Sequence, residues 1–197
     1  MAEWCDGCVA FVMAEEMMAR RITDNVVWLE GIGWSVENYY FDREFHKLPF
    51  VSKSARMALE MAGRDLRDVN AVEINDLTAD YHCMILEALG FAESGRGYEC
   101  DMDVNKSGGA LCTNAYGSTG AFLLANLALS GYAQKSCVRG VKMRVAVVGV
   151  GQTHFRTKRK DKTHPELAFE AINSALEHAE LGDEGCRSCS VWFNGSL

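Results

Sequence analysis

Three features of the sequence predict an α/β layered fold. Apolar runs of strand length alternate with amphipathic helical stretches along the first 130 residues. One of those strands, 69–74, ends in Asn75-Asp76, and polar groups at a strand's carboxyl end face the ligand crevice of such sheets. A glycine-rich loop, 105–120, feeds directly into the apolar stretch 121–129, which reads as a buried helix. The expected architecture is a mixed sheet covered by helices.

In chain order, Asp6-Gly7 turns into the apolar run 8–13, a buried strand, and 15–21 makes a short helix. A second strand, 26–33, ends in Gly31 and Gly33. The aromatic and charged stretch 34–47 has no period and reads as a loop. Helix 52–62 carries Ala55, Ala58, Leu59 and Ala62 on one face and Gly63 at its C′ position. After the strand 69–74, Thr78 caps a helix that runs to Leu89 and stops at Gly90. A solvated loop, 92–103, leads to the glycine-rich element.

Beyond Gly131 the character changes, and 136–142 reads as a linker between a 1–135 domain and a 143–197 segment. A fresh strand, 145–150, has no polar face and therefore needs burial on both sides. It is expected to dock into the sheet formed by 8–13, 26–31 and 69–74. Thr163-His164-Pro165-Glu166 has capping-box spacing with proline in the first turn. The helix that follows, 165–181, should cover that strand with Leu167, Ala171 and Leu176 and end at Gly182. A weaker strand closes the chain at 190–193.

Composition narrows the function classes. With 197 residues and 48% hydrophobic content the chain can bury the core of one domain, or of one and a half. A net charge of −7 argues against nucleic acid as the main partner. No apolar run reaches the roughly 18 residues of a membrane span. Asp6, Glu15 and Glu16 interrupt the first stretch, so no signal peptide is expected and a cytoplasmic setting is. The eight cysteines then read as free, mostly buried thiols. Cys5-x-x-Cys8 and Cys186-x-x-Cys189 would suit tetrahedral zinc. They stand almost a chain length apart and Cys8 falls inside a strand, so no metal site is expected.

The substrate-binding candidates are Asn105, Gly108, Gly109, Gly117, Ser118 and Gly120. Glycines let backbone approach a ligand, and a helix N-terminus offers unpaired N–H groups to an anion or a polarised carbonyl. Asn75 and this loop are expected to converge on one pocket. The competing reading is a structural loop on a core helix, with Asn75 in an Asx turn. Gly149-x-Gly151 lacks the third glycine of a dinucleotide motif, since His154 stands in its place. The basic loop 156–162 reads as a solvated rim rather than a phosphate site. His82 and Cys83 read as ordinary helix positions rather than a catalytic pair.

Several motifs resemble the thiolase superfamily. Asp6-Gly7-Cys8-Val9-Ala10 is similar to the strand that opens the later part of those enzymes. Val72-Glu73-Ile74-Asn75-Asp76 is similar to the strand carrying their Asn-Glu-Ala-Phe or His-Asp-Cys-Phe motif, and Glu87-Ala88-Leu89-Gly90 to the helix after it. The loop 105–120 resembles their Asn-x-x-Gly-Gly … Gly-His-Pro … Gly-Ala-Thr-Gly loop, closest to the lipid-transfer (sterol-carrier) branch. The stretch 144–155 with its following helix looks instead like the start of such an enzyme.

The resemblance implies a thiolase-like fold, incomplete relative to a full thiolase, with the rear half of one such protein joined to the opening of another. It implies an acyltransferase of lipid metabolism, with a coenzyme A thioester as substrate and no permanently bound cofactor. The expected assembly is a homo- or hetero-oligomer with a thiolase-like chain, with a zinc-ribbon/OB-type protein as a further candidate partner. In the family a cysteine attacks the thioester and a histidine takes its proton, while backbone N–H groups and a held water stabilise the oxyanion. Asn75 falls on the Asn/His position and inherits an oxyanion-donor role. No cysteine here sits in the nucleophile's motif, and Asn114-Ala115-Tyr116 replaces Gly-His-Pro, removing the activating histidine. Tyr116 then becomes the catalytic acid/base candidate of a retro-aldolase variant. The chain alone is not expected to run thiolysis, and a non-catalytic thiolase-like subunit is the competing class.

Overall fold

A computed structural model describes residues 6–24, 26–36, 47–74, 78–99, 112–113, 144–154, 156, 158–181 and 189–194, with backbone alone for 71, 112–113 and 189–194. The elements of the first half are β1 (Gly7–Glu15), α1 (Glu16–Ile22), β2 (Val27–Leu29), α2 (Pro49–Ala62), β3 (Ala71–Val72) and α3 (Ala79–Leu89). Those of the second half are β4 (Cys112–Thr113), β5 (Val145–Gln152), α4 (His164–His178) and β6 (Cys189–Asn194). They fall into two compact units, one within 30–119 and the other combining 3–29 with 120–197.

The second unit is a four-stranded sheet in the order β2-β5-β1-β6, antiparallel throughout. Phe11 stands opposite Val150 and Val12 opposite Gly149, but Met13 faces Val147, so Val148 is the extra residue of a bulge. Residues 146–150 of the apolar run are buried as expected, Ala146 at 0% and Val150 at 5% exposure, while Val145 at its start is exposed. One face presents Cys8, Ala10, Val12, Ala146 and Val148 to Leu167, Ala171, Ala175 and Leu176 of α4. The other gathers Val9, Phe11, Val147 and Val150. The 145–150 strand has thus docked against 7–15 and 27–29, and α4 covers it with the expected face.

Two details differ from expectation. The 69–74 strand does not belong to this sheet: it shortens to β3, which pairs in parallel with β4 (Ala71 opposite Cys112, Val72 opposite Thr113). Its side chains Val72 and Ile74 pack instead with Leu48, Ile85 and Leu86. The mixture of strand directions expected in one sheet is therefore divided between two. Second, Gly149 and Gly151 stand inside β5, where the helix backbone comes very close. A Cβ built at Gly149 would lie 2.3 Å from the Ala175 carbonyl oxygen, and one at Gly151 would lie 2.1 Å from that of Ala171. Close helix–sheet packing, rather than a nucleotide, accounts for this glycine pair.

Beyond β5 the pairing with β1 continues through side chains. Cys8 N donates to Thr153 Oγ1 (2.9 Å), and Thr153 N donates to the Cys8 carbonyl (3.0 Å). In the basic loop Arg156, Lys158 and Lys160 are exposed, as a rim should be. Arg159 is different: its side chain is 6% exposed, pairs with Asp161 at 2.9 Å and donates to the His154 carbonyl at 3.1 Å. That guanidinium holds the Asp161 carboxyl down at about 2. Glu166 accepts from Thr163 N (2.7 Å) and Thr163 Oγ1 (2.8 Å), forming the capping interaction that the spacing predicts. The helix ends at His178, before Gly182, which lies outside the described residues.

In the first unit, α2 begins three residues earlier than its apolar face suggests, with Pro49 in its first turn. Gly63 ends it at φ 62°, the left-handed conformation that favours glycine. Thr78 Oγ1 accepts from Tyr81 N (3.3 Å) to cap α3, and Gly90 closes it at φ 91°. The expected strand 26–33 survives only as β2. Residues 31–36 are extended without strand pairing: Ile32, Trp34 and Val36 point outward, 53%, 74% and 86% exposed. Gly31 and Gly33 turn towards α2. A Cβ there would lie 2.0 Å from the Ala58 carbonyl oxygen and 1.7 Å from that of Ser54, respectively.

Candidate functional site

The site predicted from sequence lies at the edge of what the structure describes. Asn75, Asn105, Gly108, Gly109, Tyr116, Gly117, Ser118 and Gly120 are all outside the described residues. What the structure does describe is the framework leading to them. β3 ends three positions before Asn75, and β4 ends immediately before Asn114-Ala115-Tyr116. Because β3 and β4 are parallel, both strands end at the same edge of this small sheet, its carboxyl end. That is the end at which α/β sheets present ligand-facing groups.

Around this framework α3 is well anchored. Thr78 caps its N-terminus, the cap holds the Asp80 carboxyl below its usual range, and Leu86 at 0% exposure pins the helix to its core. His82 is buried and Cys83 half-buried, both within the body of α3. The carbonyl of Cys83 meets Gly97 so closely that a Cβ at Gly97 would stand 2.4 Å away. Glu87, also on α3, accepts from Gly95 N (2.9 Å) and Gly97 N (2.8 Å) and so ties the following loop back onto the helix.

Cys8 is not a reactive thiol. It is 0% exposed in the core of the other unit, and burial pushes it up to about 11 from 9.0. The neutral thiol is therefore the form present at physiological pH, a poor nucleophile towards a thioester. Among the described residues no group of three or more His, Cys, Asp or Glu side chains could hold a metal ion.

One feature was not anticipated from the sequence. A groove of about 590 Å³ runs between α2 and α3, its walls formed by Lys47, Ser52, Lys53, Arg56, Met84 and Glu87 among others. Ser52, Lys53 and Arg56 are spaced to share one helical stripe. That spacing was visible in the sequence, but whether the stripe faced solvent or a concavity was not.

Against known proteins, the chain matches the thiolase C-terminal domain-like family over residues 37–158, more than half its length. It belongs to that family, and its helices and sheets are those of an α/β thiolase-like fold. It is also 27% identical over 164 residues to an acetyl-CoA acetyltransferase of Methanothermobacter thermautotrophicus, a match covering 76% of this chain. The chain spans 41% of the length of that relative. Among the described residues no helix is long and apolar enough to cross a membrane.

Proposed function

We propose that this chain is the substrate-binding part of a thiolase-like acyl-CoA acyltransferase, acting on the C–C bond next to a thioester carbonyl. The observation that carries the reading is the parallel β3–β4 pair. Its strands end side by side at Val72 and Thr113, three residues before Asn75 and three before Tyr116 in the sequence, which supports reading these two as parts of one site. In this reading Asn75 donates to the thioester oxygen, and backbone N–H groups at 117–120 share the developing charge. Asn105, Gly108 and Gly109 shape the approach for the acyl-CoA.

No cysteine of these 197 residues matches the family's nucleophile motif, so the nucleophile comes from thiolase-like sequence outside them, and the assembly is a cytoplasmic homo- or hetero-oligomer. The sterol-carrier resemblance of the glycine loop points to a lipid-derived acyl group. A zinc-ribbon/OB-type protein is a further candidate partner. The fold is incomplete relative to a full thiolase: 1–135 is its C-terminal domain, 136–142 a linker and 143–197 a thiolase-like opening segment.

The replacement of Gly-His-Pro by Asn114-Ala115-Tyr116 favours a second reading. Tyr116 would then act as acid/base in retro-aldol cleavage of a β-hydroxyacyl-CoA. The test is a pair of assays on the purified chain. Acetoacetyl-CoA with free CoA should give no thiolysis. Robust turnover abolished by replacing one cysteine would overturn the reading, because the nucleophile would lie within the chain. Cleavage of a β-hydroxyacyl-CoA that Tyr116→Phe removes would establish the second reading instead.

A further inference from the structure

Residues 31–36 follow β2 without joining a sheet. They contain no turn and no positive φ, and exposure alternates strictly along them: Gly31, Gly33 and Ser35 are half-buried, while Ile32, Trp34 and Val36 are exposed. That is the period of a strand, with its glycine side on α2 and an apolar row on the other. The N–H and C=O groups of a strand also alternate, so even and odd residues face opposite edges. Ile32 N donates to Met61 Sδ at 3.4 Å, which turns the even edge towards α2. Among the described residues the odd edge, at Gly31, Gly33 and Ser35, makes no backbone hydrogen bond. An unpaired edge beside a row of exposed isoleucine, tryptophan and valine is a template for another strand.

The row is its own complement. In an antiparallel pair about a twofold axis at Trp34, Trp34 meets Trp34 and Ile32 meets Val36, with no charge in the row. Gly33 and Ser35 of opposite copies then exchange hydrogen bonds, which leaves Trp34 in the closer, non-hydrogen-bonded pairing. Glu30, just before the segment, pairs with Arg64 of its own copy at 3.3 Å and brings no loose charge. Ile32, Trp34, Val36 and the exposed Met61 beside them present on the order of 1,000 Å² over two copies, where stable interfaces begin. We propose that 31–36 is the contact through which two copies of this chain associate, strand against antiparallel strand with Trp34 at the centre. The pair closes on itself, because α2 holds the other edge, so the product is a dimer rather than a fibre. The inference goes beyond the acyl-CoA reading and stands on different residues, so either can fail alone.

Sedimentation velocity of the full chain over a micromolar concentration series tests this, with amide hydrogen exchange read at the same concentrations. The unaltered chain should pass from monomer to dimer, and exchange at the Gly33 and Ser35 amides should slow as it does. Trp34→Asp sets two like charges face to face at the axis and should weaken the dimer at least about tenfold. Phe169→Asp removes a comparably exposed aromatic from the other unit and should leave the dimer as it was. Circular dichroism checks that both variants fold. A chain that stays monomeric, a dimer indifferent to Trp34→Asp, or one that Phe169→Asp weakens equally would overturn the proposal. A monomer whose Trp34 is shielded only on adding a second, thiolase-like polypeptide would give the surface to that partner and overturn self-association. A Trp34-dependent dimer whose Gly33 and Ser35 amides keep their monomer exchange rates would overturn the strand pairing.

Discussion

Gly149 and Gly151 stand in the middle of a four-stranded sheet, whereas Gly31 and Gly33 lie in an extended segment with no strand pairing among the described residues. Both pairs press onto a helix at two small residues four apart: Ala171 and Ala175 in one unit, Ser54 and Ala58 in the other. In each case an added Cβ would lie between 1.7 and 2.3 Å from a helix carbonyl oxygen, far inside contact distance. The steric demand is the same. The restraint on escaping it is not, because β5 is hydrogen-bonded to strands on either side while the 31–36 backbone makes a single bond to α2 among the described residues, Ile32 N to Met61 Sδ at 3.4 Å. Local geometry alone therefore does not set the cost of a substitution; the bonds holding the segment in place do.

Replacing the inner glycine of the sheet should give the largest effect. Gly151→Val forces α4 off the sheet, with an expected loss of about 3 kcal/mol in urea unfolding. A loss under about 1 kcal/mol would mean that α4 is not seated as described. Gly33→Ala creates the tighter overlap yet should cost only about 1 kcal/mol, appearing chiefly as faster amide exchange over 31–36. Equal costs for the two variants would break the comparison.

The helices themselves provide a smaller contrast. Thr163→Ala removes the Oγ1 bond to Glu166 and the hydroxyl of the capping box while keeping the backbone N–H bond, and should cost about 1 kcal/mol. Thr78→Ala, with one 3.3 Å bond, should cost about half of that in the same unfolding experiment. Last and smallest is the buried thiol under α4. Cys8 has its folded value raised from 9.0 to about 11, so its contribution is intact below pH 9 and declines as pH rises towards 11. Cys8→Ala should flatten that alkaline limb relative to the unaltered chain. An unchanged limb would place the thiol in solvent.

Much of this framework was legible in the sequence, for identifiable reasons. Thr163 and Glu166 announce a helix start because the capping chemistry is local, and Gly63 and Gly90 announce helix ends because a left-handed φ is local too. The unbroken apolar run 145–150 announced burial on both faces. The packing role of the glycine pairs was missed, Gly31 and Gly33 being read as a strand ending and Gly149-x-Gly151 only set aside as a nucleotide motif, because close approach depends on a distant helix. The matching signal was present in Ala171, Ala175 and Ala179, but only pairing the two elements gives it meaning. The loss of 69–74 from the main sheet was illegible for the same reason: Val72 and Ile74 suit either core. The α2 groove could have been suspected from the spacing of Lys53 and Arg56, though not its concavity. Asn75 and the 114–120 part of the glycine loop rest on resemblance and on the parallel β3–β4 pair that precedes them in sequence, whereas Asn105, Gly108 and Gly109, which come before β4, rest on resemblance alone.

The bond between Cys8 and Thr153 joins residues 145 positions apart, whereas the 30–119 unit closes on residues that all lie between them. During synthesis the inner unit can therefore complete itself while β1 has no partner. At about 5–20 residues per second, the ribosome leaves that apolar strand unpaired for roughly 7 to 26 seconds before β5 emerges. A strand with two buried faces and two open edges is then a template for pairing with other nascent chains. Yield in the cell should accordingly respond to holdase chaperones and to translation speed between residues 30 and 150, more than to the stability of the finished sheet.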